Sequence, residues 1–223
     1  MLSAAGPLSP LLKDADRVAD RVRGRADAFD HQQVIDPQLI ADLFAAGLMG
    51  ASLAAHPQTL DAKDYGRLHE ILGSACSSLR AMVTVHDMVA AAIEQWGSTA
   101  QRNEWLPQLL DGRCQAAFAL SEPEVGSDAK SIRTLVTHQD GQWQLNGTKK
   151  WITAGQCADL FLVVARMDDQ PTALLVPAQT PGLKRRPIVD LLGMRAAALA
   201  ELEFVDCRLP EEALLGGVGC GFS

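Results

Sequence analysis

The sequence predicts an α+β protein, with an N-terminal all-helical domain followed by a β-barrel-like domain. Two observations carry this reading. Apolar residues recur at three- and four-residue steps up to Gly112, and at two-residue steps from Gln115 onward. The helical segments also all precede the strand segments, so no strand–helix alternation is present to build a doubly wound parallel sheet. A chain of 223 residues, 48% hydrophobic, has enough apolar material for two small packed units. The period changes between Gly112 and Gln115, which places the domains at 1–113 and 114–223.

Each helix has its own signature. Leu11, Leu12, Ala15, Val18, Ala19 and Val22 form one apolar face among Lys13, Asp14, Asp16, Arg17 and Asp20. Pro37 suits a first helical turn, and Gly47 follows Leu39, Ile40, Leu43 and Phe44 to end a second helix. Asp61 is a candidate N-cap for a third helix running through Ile71 and Leu72, with a break expected over Gly73 to Ser78. Met82 to Ile93 reads as a helix closing near Gly97. Ser98 then caps a helix that carries Trp105, Leu106, Leu109 and Leu110 and ends at Asp111-Gly112.

Strands are expected at Ala117–Leu120, Ile132–His138, Trp143–Asn146, Leu160–Arg166, Ala173–Val176 and Glu201–Val205. Asp140-Gly141 is a hairpin signal between two of them, and Asn146-Gly147 reads as the next turn.

Charge and cysteine usage narrow the function classes. The net charge of −7 disfavours nucleic acid and anionic membrane surfaces as partners. The short basic clusters Lys149-Lys150 and Lys184-Arg185-Arg186 read as solvated strand ends. The apolar runs are too short to span a bilayer, and Met1 to Pro10 lacks the basic start and apolar run of a secretory signal. The five cysteines are scattered, without a C-x-x-C pair, which predicts reduced thiols, a cytoplasmic protein and no metal site. The five histidines are widely separated and read as surface or satisfied core residues. The glycine-rich end, Gly216-Gly217-Val218-Gly219-Cys220-Gly221, has only Phe222 and Ser223 after it and so cannot open a dinucleotide-binding helix.

The informative stretch is Phe118-Ala119-Leu120-Ser121-Glu122-Pro123-Glu124-Val125-Gly126-Ser127-Asp128, followed by Trp151-Ile152-Thr153-Ala154-Gly155. A strand entering a Pro-broken, hydroxyl-rich loop can turn N–H groups and short hydroxyls toward a planar polar ring or a phosphate, and Gly126 permits close approach. Trp151 offers a face on which a heterocycle can stack, and simple strand alternation puts Thr153 on the same side. The same residues also suit a core tryptophan beside a turn.

These motifs, together with Asn146-Gly147-Thr148-Lys149-Lys150-Trp151-Ile152-Thr153, closely resemble the acyl-CoA dehydrogenase family of flavoenzymes. Trp96-Gly97-Ser98 to Leu106-Pro107, Gly193-Met194-Arg195 and Leu214-Leu215-Gly216 are similar to further landmarks of that family. The resemblance implies FAD as cofactor and α,β-dehydrogenation of an acyl thioester. It implies that Phe118, Ala119, Leu120 and Ser121 line the isoalloxazine. Gly126 and Ser127 would serve the FAD and thioester side, Ser127 also touching substrate. Trp151 and Ile152 would pack on the flavin, with Thr153 bonding near N5. Ser78 to His86 is similar to the helix lining the acyl pocket. An arginine at the Arg80 place implies a carboxylated acyl group, as in glutaryl-CoA or hydroxymalonyl-carrier-protein dehydrogenase-like members.

The family's C-terminal four-helix bundle is absent from this chain, so no residue is assigned as the catalytic base, and Glu122 is not a substitute. The implied partners are an acyl-CoA or acyl-carrier-protein substrate and an electron-transfer flavoprotein or other acceptor. A homo-oligomer is also implied; for the bundle, either the chain is a truncated fragment, or a separate polypeptide supplies it, or the protein is not a dehydrogenase in its own right. Two other readings stay open: a non-catalytic flavin- or thioester-binding module acting with a partner chain, and an oxygen-using oxidase or monooxygenase relative. Glu124, and the alanines Ala196, Ala197, Ala198 and Ala200, depart from the family pattern.

Overall fold

The computed structural model describes residues 9–221; Met1–Leu8, on which most of the leader reading rests, and Phe222–Ser223 lie outside it. The first half folds into α1 (Pro10–Arg23), α2 (Ala26–Gln32), α3 (Pro37–Ala45), α4 (Ala62–Ala75), α5 (Ser77–Trp96) and α6 (Thr99–Asp111). Their caps follow from sequence. The Ser9, Asp36 and Asp61 side chains accept from backbone N–H groups in the first turns of α1, α3 and α4, and Pro10 and Pro37 occupy first-turn positions. Ser98 and Gln101 form a reciprocal capping box on α6, which ends at the left-handed Gly112.

The expected break over Gly73–Ser78 shrinks to one extended residue, Cys76, between α4 and α5. Packing of Leu72, Ala75 and Leu79 into the core carries both helices through residues of low helix preference. Helix α2 is short and only Phe29 is buried on it, which leaves too few apolar positions to show a period.

The second half holds β1 (Ala116–Ala119), β2 (Leu135–Gln139), β3 (Gln142–Ile152), β4 (Leu160–Met167), β5 (Gln170–Pro177), β6 (Leu183–Pro187), β7 (Ala200–Pro210) and β8 (Leu214–Leu215). They form a mixed sheet in the order β6-β7-β3-β2-β4-β5-β8. Asp140 (φ 50°) and Gly141 (φ 73°) make the two-residue β2–β3 turn. Asn146-Gly147 is not a turn: β3 runs through it, with a register shift against β7 between Leu145 and Gly147. Gly147 takes φ 143°, and a Cβ there would lie 2.7 Å from the Thr134 Cα, so close backbone approach accounts for the glycine.

One topological detail positions the site. Strand β5 pairs along one edge of β4, while β1 and β2 share the opposite edge end to end, both parallel to β4. The loop from Leu120 to Thr134 is the excursion between them.

The two halves pack as one body. The buried His86 of α5 joins α6 to β1: its Nε2 is 3.0 Å from the Leu109 carbonyl, and the Ala116 N–H donates to its Nδ1 at 3.2 Å. That pairing makes Nδ1 the acceptor and Nε2 the protonated nitrogen.

Candidate functional site

Loop 120–134 and the end of β3 come together as adjoining strands would. The Lys150 N–H donates to the Ser121 carbonyl at 2.8 Å, which places Trp151 beside the Ser121 turn. Within that turn Glu122 N–H donates to Val125 O at 2.9 Å, and Val125 N–H returns to Glu122 O at 3.3 Å.

Trp151 is 49% exposed, so the core-tryptophan alternative does not hold. Its φ is 64°, and Ala154 beyond it has φ 59°. A bulky side chain in the left-handed region stores backbone strain of about 1–2 kcal/mol, which persists only where surrounding contacts hold it. Lys150 Nζ lies 5.3 Å from the Trp151 ring centroid and 3.9 Å from Glu201. Because β3 ends at Ile152 and its pairing slips between Lys149 and Ile152, strand alternation does not carry over to Thr153 as expected.

The remaining sequence-nominated residues divide by burial. Phe118, Leu120, Ser121 and Thr153 are half-buried, while Gly126 and Ser127 are exposed, and a Cβ at Gly126 would meet nothing within 4 Å. Ala119 and Ile152 are buried in the core, so they present only backbone to a ligand. Phe118 also lines an apolar trough with Met88, Ala92 and Trp96 of α5 and Leu162 and Val164 of β4.

Arg80 stands apart from this loop, on the exposed side of α5 two turns before Met88, roughly 12 Å along the axis. Its stem rests over Gly73 of α4, at 3.6 Å from the position of an added Cβ. No carboxylate lies within ion-pairing distance of it among the described residues. On α4, His69 has a buried Nδ1 without a partner among the described residues, and burial together with the Arg80 charge holds its pKa down.

Sequence reasoning missed the most deeply buried charge. Lys149 is fully buried, not a solvated strand end, and its Nζ donates to Glu122 Oε1 and to the Leu120 carbonyl, each at 2.8 Å. Glu122 Oε2 accepts from Arg133 N–H at 2.6 Å and Oε1 from Thr134 N–H at 2.9 Å. Burial pushes the Glu122 carboxyl up, but the bonds from Lys149, Arg133 and Thr134 outweigh it and hold the group ionised. Burial pulls the Lys149 ammonium down against the attraction of Glu122. The signal was present in the alternation of Trp143, Leu145, Gly147 and Lys149, which puts the lysine on the inward face of β3.

The basic run Lys184–Arg186 lies on β6, where Arg186 pairs with Glu203 at 2.7 Å and Glu201 at 3.3 Å, and Arg185 donates to the carbonyls of Gln156 and Ala158. Glu124 pairs with Arg133 on the surface. The alanine stretch has a structural reason: Ala196 and Ala197 are buried, and the Ala197 and Ala198 carbonyls accept from Ala154 and Gln156 N–H groups just past Thr153.

Known proteins share this arrangement. Residues 12–113 match the description "Acyl-CoA dehydrogenase, N-terminal domain" and residues 117–207 "Acyl-CoA dehydrogenase, middle domain". The mouse (Mus musculus) mitochondrial short-chain specific acyl-CoA dehydrogenase is 38% identical over 169 residues, covering 73% of this chain and 41% of that protein. A glutaryl-CoA dehydrogenase from Mycobacterium smegmatis, solved in complex with FADH2, superposes with a TM-score of 0.89 at 31% identity, over 94% of this chain and 55% of that one. FkbI, described as being for biosynthesis of the methoxymalonyl extender unit of Fk520, gives 0.85 at 33% identity, over 92% and 58%. The chain thus spans about half the length of the proteins it matches. With both halves matched in order and the signature loops brought side by side, the chain belongs to the acyl-CoA dehydrogenase family, in its N-terminal and middle domains.

Proposed function

We propose that this chain supplies the flavin- and thioester-binding part of an FAD-dependent acyl-thioester α,β-dehydrogenase, its helical unit being 1–113 and its flavin unit 114–223. The observation that carries this reading is the Lys150–Ser121 bond, which sets a half-exposed, strained Trp151 beside a hydroxyl-bearing turn. A flat indole face, short hydroxyls and open space over Gly126 suit a planar heterocycle with polar edges. When bound, FAD supplies the hydride acceptor for oxidation of the acyl chain.

The chain's own residues bind and orient. Trp151 stacks, Ser121 and Thr153 offer hydroxyls to the ring edge, and Phe118, Ala119, Leu120 and Ile152 contribute backbone or apolar wall. Gly126 and Ser127 border the thioester side. The apolar trough beside Phe118 suits an acyl chain. Unpaired Arg80 suits a distal carboxylate on that chain, since a guanidinium takes a carboxylate in a bidentate geometry. A coenzyme A or carrier-protein thioester is then the substrate and an electron-transfer flavoprotein or similar carrier the acceptor. A separate polypeptide carrying the family's C-terminal domain, and a second copy of this chain, complete the thioester side of the cleft, while the flavin ring rests on this chain. The free cysteines suit a reducing, cytoplasmic compartment.

Titrating the purified chain with FAD tests the reading: flavin absorbance should co-elute with the protein, and Trp151→Ala should abolish it. A wild-type chain that never retains FAD overturns it. For the substrate, Arg80→Ala should weaken binding of glutaryl-CoA by about 10–100-fold while leaving butyryl-CoA unchanged. Equal losses for both thioesters refute the carboxylate role.

A further inference from the structure

The Glu122–Lys149 pair ties both ends of loop 120–134 to β3. The Lys149 side chain is 0% exposed and that of Glu122 4%. Successive carbonyls of the loop are held by successive residues of β3: Leu120 O by the Lys149 side chain and Ser121 O by the Lys150 main chain, both at 2.8 Å. Trp151 follows directly. On the other side, the Glu122 carboxylate gathers the N–H groups of Arg133 and Thr134, where the loop returns to the sheet.

Apolar packing gives this loop little to stand on. Val125 and Ile132 form only a small cluster with Val164 and the edges of Phe118 and Leu120. A buried ion pair is seldom more stabilising than apolar residues of the same volume, so what it contributes is the geometry it fixes. Each of its bonds here ends on the backbone of loop 120–134 or on the partner charge.

We propose that Glu122 and Lys149 are positioning residues, a buried clamp that sets the Ser121–Val125 turn against the Trp151 end of β3 and so fixes the spacing of the groups that receive the flavin. The proposal rests on the flavin reading for its purpose but not for its geometry.

The test compares the full wild-type chain with the double variant Glu122→Gln/Lys149→Met, which removes both charges, keeps one carboxamide acceptor for the Arg133 or Thr134 N–H, and frees the other N–H and the Leu120 carbonyl. Val125→Ala, which trims the loop's apolar contact, serves as the second variant. Thermal melting by circular dichroism, amide hydrogen exchange without ligand and FAD affinity are read for each. The double variant should keep its circular-dichroism spectrum and melt cooperatively, at a lowered temperature. Its amides at Ser121, Glu122, Val125 and Lys150 should exchange about tenfold faster, and its dissociation constant for FAD should rise about tenfold or more. Val125→Ala should stay within about twofold of wild type on both counts.

Wild-type exchange and affinity in the double variant overturn the clamp, as does an equal effect from Val125→Ala. A double variant that fails to fold also overturns it, since the pair would then carry the whole sheet and not one loop. A wild-type chain without FAD affinity refutes the flavin reading alone, and the exchange rates still decide the clamp.

Discussion

His86 and Asp87 are neighbours in sequence, both buried, and titrate in opposite senses. Burial drives the His86 pKa from 6.5 down to about 4, against the bond to the Leu109 carbonyl. Burial drives that of Asp87 from 3.8 up to about 7, against bonds from Gly50 N–H at 2.6 Å and the Tyr65 hydroxyl at 2.9 Å. The depressed histidine contributes stability present above pH 6.5 and lost as pH falls toward 4. The raised aspartate contributes stability present below pH 3.8 and lost as pH rises through 7. Each effect is on the order of 3 kcal/mol, and over the shared window they cancel. Asp87→Asn should therefore unmask the histidine: its unfolding free energy, from urea curves at pH 4.5, 5.5 and 6.5, should rise with pH more steeply than that of wild type. Parallel profiles would count against it. The sequence put His86 correctly among satisfied histidines, but not its bonds to Leu109 and Ala116, because these depend on where α6 ends and β1 begins.

The elements themselves were legible where a period or a cap dominates, as in α1, α4, α6 and the β2–β3 hairpin. They were misread where tertiary contact overrides local preference. Strand β3 is the clearest case, since Asn146-Gly147 is turn chemistry carried inside a strand, opposite the extra residue that β7 inserts between Phe204 and Cys207. Gly147→Ala should cost roughly 2 kcal/mol or more, because its Cβ meets Thr134 backbone and its φ is unfavourable to any L side chain. A melting temperature lowered by about 5 °C or more would match, and an unchanged one would show that Thr134 yields freely. Strands β6 and β8 escaped notice for another reason: β6 is largely exposed and charged, and β8 has two residues. The family's motifs were legible because they are local strings. Their support was not, since the partner of Glu122 lies 27 residues away.

At the scale of the molecule, Gln101 does two tasks with one amide. Its Oε1 accepts from Ser98 N–H at 2.8 Å to close the α6 cap, while its Nε2 donates to Glu212 O at 2.7 Å and Leu214 O at 2.9 Å across the helix–sheet junction. Gln101→Glu keeps the cap acceptor but faces two carbonyls with a carboxylate. It should destabilise the chain by about 2–3 kcal/mol in urea melts and open the 211–215 segment to protease. Full stability in Gln101→Glu would show that the cap, and not the bridge, is what the side chain contributes.

The shared edge of β4 has a consequence for how such a chain tolerates change. Residues 120–134 leave one strand and re-enter another anchored to the same neighbour, so the distance between their ends is set by β4 and not by their own length. Added residues at the 128–131 tip, outside the anchors at Glu122, Arg133 and Thr134, cost little closure entropy, about 0.6 kcal/mol per doubling, and leave the sheet's pairing untouched. Length can change at that one insertion point while the architecture beneath it stays as it is.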